Sequence, residues 1–173
     1  MAYSRPEPLE RGHDRSGFSC GEPELNRWLA DYAFAAQASD SARVFVSTDG
    51  QRVVGYYALV AAQVAPEDAG KRALKGQPRD RAVPAVLLAR LAVDRAHHGC
   101  GLGRSLLQDA MLRASEAAEE LGIRLMLVHA KNERASGWYK RFGFEESPTD
   151  PLHLILLMKD LRAFLSSVGQ GAK

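Results

Sequence analysis

The run from Leu87 to Leu107 constrains this chain more than any other. It joins an apolar stretch, Leu87-Leu88-Ala89-Arg90-Leu91-Ala92-Val93, to His98-Gly99-Cys100-Gly101-Leu102-Gly103-Arg104-Ser105, and then to Leu106 and Leu107, which open an amphipathic pattern. That order predicts a buried strand, a glycine loop and a helix. Three glycines at alternate positions leave space for successive main-chain N–H groups to converge on phosphate oxygens, and the helix behind them adds unpaired N–H groups and a partial positive charge. A phosphate-bearing cofactor is the expected ligand; a tight Gly-rich turn with no ligand is the alternative. Two better-known phosphate loops do not fit. A dinucleotide fingerprint, G-x-G-x-x-G, needs glycine where Arg104 stands, and a P-loop needs Gly-Lys-Ser/Thr where Gly103-Arg104-Ser105 stands.

With 173 residues the chain has room for one compact domain but not for two full-sized ones. We expect a single domain over 1–173, with 1–15 and 165–173 peripheral. Hydrophobic residues at 46% and charged ones at 25% are ordinary globular usage, which argues against a disordered or disulfide-built chain. Cys20 and Cys100 stand far apart without metal-ligand spacing, and His13, His97, His98 and His153 show none either, so no metal is expected and a reducing cytoplasm is. The polar start from Met1 to Gly12 does not read as a signal peptide, and the longest uncharged run, Val53 to Pro66, is short of the roughly 20 residues of a membrane span.

A net charge of +2 does not by itself announce nucleic-acid binding, but its distribution is uneven. Lys71, Arg72, Lys75, Arg79, Arg81, Arg90 and Arg95 are answered in their own stretch only by Asp80 and Asp94. One strongly positive face is therefore expected on a nearly neutral protein. Arg90, inside an apolar strand, must pair with Asp94 or a phosphate, or point into a cleft.

Pro23 at a first-turn position, followed by Leu25, Trp28, Leu29, Tyr32 and Ala36, predicts a helix to about Gln37. Ala42 to Thr48 and Val53 to Val64 flank Asp49-Gly50 and predict an antiparallel hairpin. Pro66 to Leu74 reads as a short helix, Lys75 to Pro84 as a basic loop and Ala85 to Asp94 as the central strand. The helix after the glycine loop runs to about Leu121, burying Leu106, Leu107, Ala110, Met111, Ala114 and Leu121. A strand at Ile123 to Ala130, a helix at Glu133 to Phe142 and a strand at Leu152 to Met158 follow, with a helical turn or two before the tail frays at Gly169 to Lys173. The fold class is thus α/β, an α+β arrangement on a mixed sheet.

A second motif lies beyond the glycine loop. Asn132-Glu133-Arg134-Ala135-Ser136-Gly137-Trp138-Tyr139-Lys140-Arg141-Phe142-Gly143-Phe144 is similar to the pattern N-x-x-A-x-x-x-Y-x-x-x-G-F, and His98 to Gly103 to the acyl-CoA loop Q/R-x-x-G-x-G/A, of the GNAT superfamily of N-acetyltransferases. Histidine replaces the usual Gln or Arg at position 98, a departure that main-chain binding of the pyrophosphate should tolerate. The resemblance, from Phe18 to Met158, implies a single GNAT domain with a splayed central sheet flanked by helices. It further implies acetyl-CoA as acetyl donor, with main-chain contacts from Leu91, Ala92 and Val93 to the pantetheine arm. The loop residues His98, Gly99, Cys100, Gly101, Leu102, Gly103, Arg104 and Ser105 would hold the pyrophosphate, and Asn132 would face the cofactor, cap a helix, or both.

Acetyl transfer needs a proton for the departing thiolate, and Tyr139 is the candidate donor; an amphipathic tyrosine capping the core is the alternative. His129 is either a proton relay or structural. No dedicated base stands out, which suits an α-amine, since an α-amino group near pKa 8 is far more often neutral at pH 7.4 than a lysine near 10.4.

Within that superfamily the chain most resembles the toxins of bacterial toxin–antitoxin pairs that acetylate aminoacyl-tRNA. Phe18-x-Cys20-Gly21, Leu25-x-x-Trp28-Leu29, Val54-Gly55-Tyr56-Tyr57-Ala58-Leu59, Leu88 to Asp94 and Ser147-Pro148-x-Asp150-Pro151 carry the likeness. It implies a cytoplasmic enzyme that blocks translation and is silenced by a ribbon-helix-helix antitoxin. Lys71, Arg72, Lys75, Arg79, Arg81 and Arg90 would then hold tRNA phosphates; a solvated surface is the alternative. A homodimer through the tail strand and Tyr56-Tyr57 is a further expectation, unless those residues complete the core. An enzyme for a small amine or a protein N-terminus, and a non-catalytic acyl-CoA-binding protein, are the competing readings.

Overall fold

The computed structural model describes residues 2–170. Seven strands form a mixed sheet in the order β1-β2-β3-β4-β5-β7-β6: β1 Glu7–Pro8, β2 Arg43–Asp49, β3 Arg52–Val64, β4 Val83–Val93, β5 Leu125–His129, β6 Glu145–Glu146 and β7 His153–Leu157. The helices are α1 (Pro23–Arg27), α2 (Ala33–Ala38), α3 (Pro66–Ala69), α4 (Lys71–Leu74), α5 (Leu102–Glu120), α6 (Glu133–Lys140) and α7 (Met158–Gln170). The chain groups into two compact units, one of residues up to Val60 with Ala89–Ala110, the other of Ala61–Leu88 with the chain from Met111 onward.

In the first unit β2 and β3 form the expected hairpin, closed where Asp49 faces Arg52 across Gly50 and Gln51, with Gly50 at a φ of 65° that suits the turn. Along β3, Val53, Val54, Tyr56, Tyr57 and Ala58 are all buried, so the strand is covered on both faces and shows no polar alternation. Tyr56 and Tyr57 are fully buried, which removes that pair as a surface for a second copy. Gly55 packs closely: a Cβ there would stand 2.9 Å from Leu106 Cδ1 on α5 and would have to displace that side chain. The predicted first helix is present, but a π-helical segment, Trp28–Tyr32, separates α1 from α2. Leu29 and Ala33 anchor it in a core with Phe18, Val44, Val46 and Tyr56. Leu9, just after β1, joins the same core.

In the second unit β4 and β5 run parallel, β5 and β7 antiparallel, and β6 adds an edge to β7. Val64, Val83, Ala85, Leu125, Leu127 and Ile155 share one core. The β4–β5 ladder pairs Ala85 to Leu88 with Leu125 to Val128.

Three sequence expectations need correction. Leu121 is 66% exposed, because α5 ends at Glu120 and the next residue has left its buried face. Pro66 to Leu74 is not one helix: Gly70, at φ 85°, breaks it into α3 and α4. The tail is a 13-residue helix, not a frayed turn or two. Leu161, Phe164, Leu165 and Val168 recur at i, i+3, i+4 and i+7, and the apolar run of β7 leads straight into that stripe. Gly171 to Lys173 lie outside the described residues.

Candidate active site

The end of β4 is held by Asp94. Its carboxylate accepts from Ser19 N–H at 3.0 Å and from Ala96 N–H at 2.9 Å, starting the 3-10 turn Arg95–His97. Burial pulls this carboxyl upward, but the two N–H donors, with Arg52 and His97 nearby, outweigh it and hold it below the ordinary value. Asp94 is thus spent on main chain and is not the partner of Arg90. That guanidinium lies instead over the Trp28 ring, 4.2 Å from its centroid.

After the turn, His98 Nε2–H donates to the Val93 carbonyl at 2.7 Å, tying the loop back to the strand. The side chain at the unusual position therefore has a definite role: it closes the loop. Gly99 and Gly101 adopt φ of 76° and 83°, which other residues rarely sustain. A Cβ at either would meet no protein atom within 4 Å and would project into open space. These glycines are needed for backbone shape and for keeping that space clear. Cys100 Sγ donates to the His97 carbonyl at 2.8 Å, turning its thiol into the loop. The first helical bond of α5 runs from Ser105 N–H to the Gly101 carbonyl at 3.1 Å, and among the described residues Leu102 and Gly103 N–H have no main-chain partner. A bent glycine loop, free N–H groups and a helix start are together the donor set a diphosphate requires.

Asn132 caps α6: its Oδ1 accepts from Ala135 N–H at 2.9 Å, leaving its amide N–H₂ exposed. On that helix Tyr139 is half-buried, edge-on to Trp138 at 5.0 Å and to Phe144 at 5.7 Å. Burial pushes its phenol well above the ordinary value, and among the described residues its hydroxyl has no hydrogen-bond partner. It is a protonated, uncommitted acid at neutral pH.

The predicted basic residues divide. Lys71, Lys75, Arg79 and Arg81 are exposed and have no carboxylate partner among the described residues. Arg72 is different: it bridges Glu145 at 3.0 Å and Asp160 at 2.8 Å, carboxylates that sequence order does not bring near it. Its charge is already answered by two carboxylates, unlike that of the other four.

His129 stacks on His153, ring centroids 4.0 Å apart, and His153 faces Asp150 at 3.5 Å. Desolvation, then the neighbouring imidazole, lowers the His129 pKa, while Asp150 opposes the shift. The pair borders a cavity of about 200 Å³ with Gln63, Asp68 and Ser147. Among the described residues no group of three or more His, Cys, Asp or Glu is placed to hold a metal, and no helix is long and apolar enough to cross a membrane.

Sequence reasoning missed Arg124, Lys159 and Arg162. Arg124 donates to the carbonyls of Ala73 and Lys75, and all three line a cavity with Lys75. No local pattern marks them.

Comparison with known proteins agrees with this geometry. Residues 40–146 match the family described as Acetyltransferase (GNAT) domain. The chain is 47% identical over 163 residues to a tRNA-acetylating toxin of Mycobacterium tuberculosis, covering 94% of this chain and 97% of that one. It is similar to AtaT complexed with acetyl-methionyl-tRNAfMet, at TM-score 0.85 and 26% identity over 94% of this chain and 98% of that one. It is also similar to a tyrosine-to-phenylalanine mutant of AtaT bound to the C-terminus of the antitoxin AtaR and acetyl-CoA, at TM-score 0.79 and 27% identity over 96% and 99% of the two chains. Motif, loop geometry and likeness agree, and the chain belongs to the GNAT acetyltransferase family.

Proposed function

We propose that this protein is a cytoplasmic toxin that transfers the acetyl group of acetyl-CoA to the α-amine of an aminoacyl-tRNA and so withdraws that tRNA from translation. An antitoxin of the ribbon-helix-helix class silences it. The observation that carries this reading is the Gly99–Gly101 loop, with its left-handed glycines and free helix-start N–H groups, in a chain 47% identical to a tRNA-acetylating toxin. His98 to Ser105 hold the diphosphate, Leu91 to Val93 run beside the pantetheine arm, and Asn132 offers its amide. Acetyl-CoA supplies the thioester. The C–S bond is exchanged for a C–N bond, the amine loses one proton, and sulfur gains one. Tyr139, whose phenol is protonated at neutral pH, provides the proton to sulfur. Lys71, Lys75, Arg79 and Arg81 hold phosphates of the acceptor by a salt-sensitive attraction that carries no base sequence information.

The test is acetylation of charged tRNA as a function of salt. Between 50 and 200 mM salt the rate should fall by roughly ten- to a hundredfold, for a handful of phosphate contacts, while acetyl-CoA affinity changes much less. Arg79→Glu with Arg81→Glu should reproduce the loss at low salt. Equal turnover of free amino acids and charged tRNA would overturn the reading.

A further inference from the structure

The second unit contains a cavity of about 780 Å³ that no motif announced. Lys75, Arg124, Lys159, Arg162 and Arg72 all line it, and no carboxylate does. Arg72 is neutralised by Glu145 and Asp160. The others are not. Lys75, Lys159 and Arg162 are exposed and form no ion pair among the described residues, while Arg124 is fixed through two main-chain carbonyls that leave its charge unanswered. Four like charges around one cavity give it a positive potential that an anion would meet favourably. The charge also continues beyond the cavity. Lys75 and Gly76 form part of its wall and lead into Arg79 and Arg81, both exposed. A wall followed by a stripe of cations suits a chain of phosphates better than a single small anion.

We propose that this cavity anchors the sugar-phosphate backbone of the RNA substrate, through Lys75, Arg124, Lys159 and Arg162. The proposal rests on the tRNA-acetylating reading above and adds three residues to it. The contacts are phosphate contacts, so they hold the substrate without selecting its sequence. Lys159 and Arg162 lie on the exposed side of α7, where substitution leaves the core intact.

The experiment compares the intact wild-type protein with Lys159→Glu/Arg162→Glu, using two acceptors, a charged tRNA and the methyl ester of the same amino acid. The quantity read is kcat/KM for tRNA divided by kcat/KM for the ester. In the double variant this ratio should fall about tenfold at low salt, and the log–log salt slope for tRNA should shrink by one to two. A partly unfolded preparation lowers both rates and leaves the ratio alone. An unchanged ratio and slope overturn the proposal. An unchanged ratio with lost binding of poly-glutamate also overturns it, and assigns the cavity to an acidic peptide instead. A wild-type ratio near one defeats the tRNA reading itself. Fluorescence anisotropy with deacylated tRNA then decides the cavity: weaker binding by the double variant sustains it, equal binding ends it.

Discussion

Removing one oxygen from Tyr139 separates its chemistry from its packing. Tyr139→Phe keeps the edge contacts to Trp138 and Phe144 and deletes only a hydroxyl that has no hydrogen-bond partner among the described residues. Because no bond is lost, stability should change by no more than about 0.5 kcal/mol, which for a chain of this size is a melting shift of about 2 °C at most. Loss of a positioned acid should lower kcat by roughly a hundred- to a thousandfold, or about 2.7–4 kcal/mol of barrier. Acetyl-CoA affinity should stay within about threefold, since the loop proposed to hold the diphosphate is remote in sequence from Tyr139. The assay combines calorimetric titration of acetyl-CoA, single-turnover acetylation and thermal melting on one preparation. Wild-type turnover would remove Tyr139 from the mechanism. A melting point lower by about 5 °C or more would show that the hydroxyl has a structural partner. The raised phenol pKa adds a further expectation. The folded state keeps the proton after the unfolded chain begins to lose it, so this group's stabilisation is complete below pH 10 and declines as pH rises above it.

Gly101→Glu should abolish measurable acetyl-CoA binding in calorimetry. At φ 83° any side chain is strained by about 1–2 kcal/mol, and a carboxylate would project into the cleared space and repel the diphosphate; unchanged affinity would refute the placement of that group. For His129, an NMR titration should find a midpoint below the ordinary 6.5, caused first by desolvation and then by His153. A lowered imidazole pKa gives stability that is present above pH 6.5 and lost as pH falls through the folded value, so the melting temperature should drop on acidification from pH 7 to about 5, and less so in His129→Asn.

Much of the scaffold around the candidate site was legible because it is locally encoded. Gly50 specifies a two-residue turn with Gln51 by its dihedral freedom, the spacing of Leu106, Leu107, Ala110, Met111 and Ala114 specifies one buried helix face, and Asn132 specifies a cap. Boundaries and tail were less legible. Nothing local says that Leu121 falls past the last packed turn, and the apolar run Leu154 to Met158 hides the point where strand becomes helix, because both states bury it equally well.

The amino-acid order was sufficient for the glycine loop, its strand and its helix, since dihedral freedom and hydrophobic period act over a few neighbouring residues. Charge was another matter. Whether Arg72 is free, what Arg90 rests on, and that Lys75, Arg124, Lys159 and Arg162 share a cavity all depend on which distant segments meet. Coulomb and stacking energies follow distance in space, and the folded chain alone sets that distance.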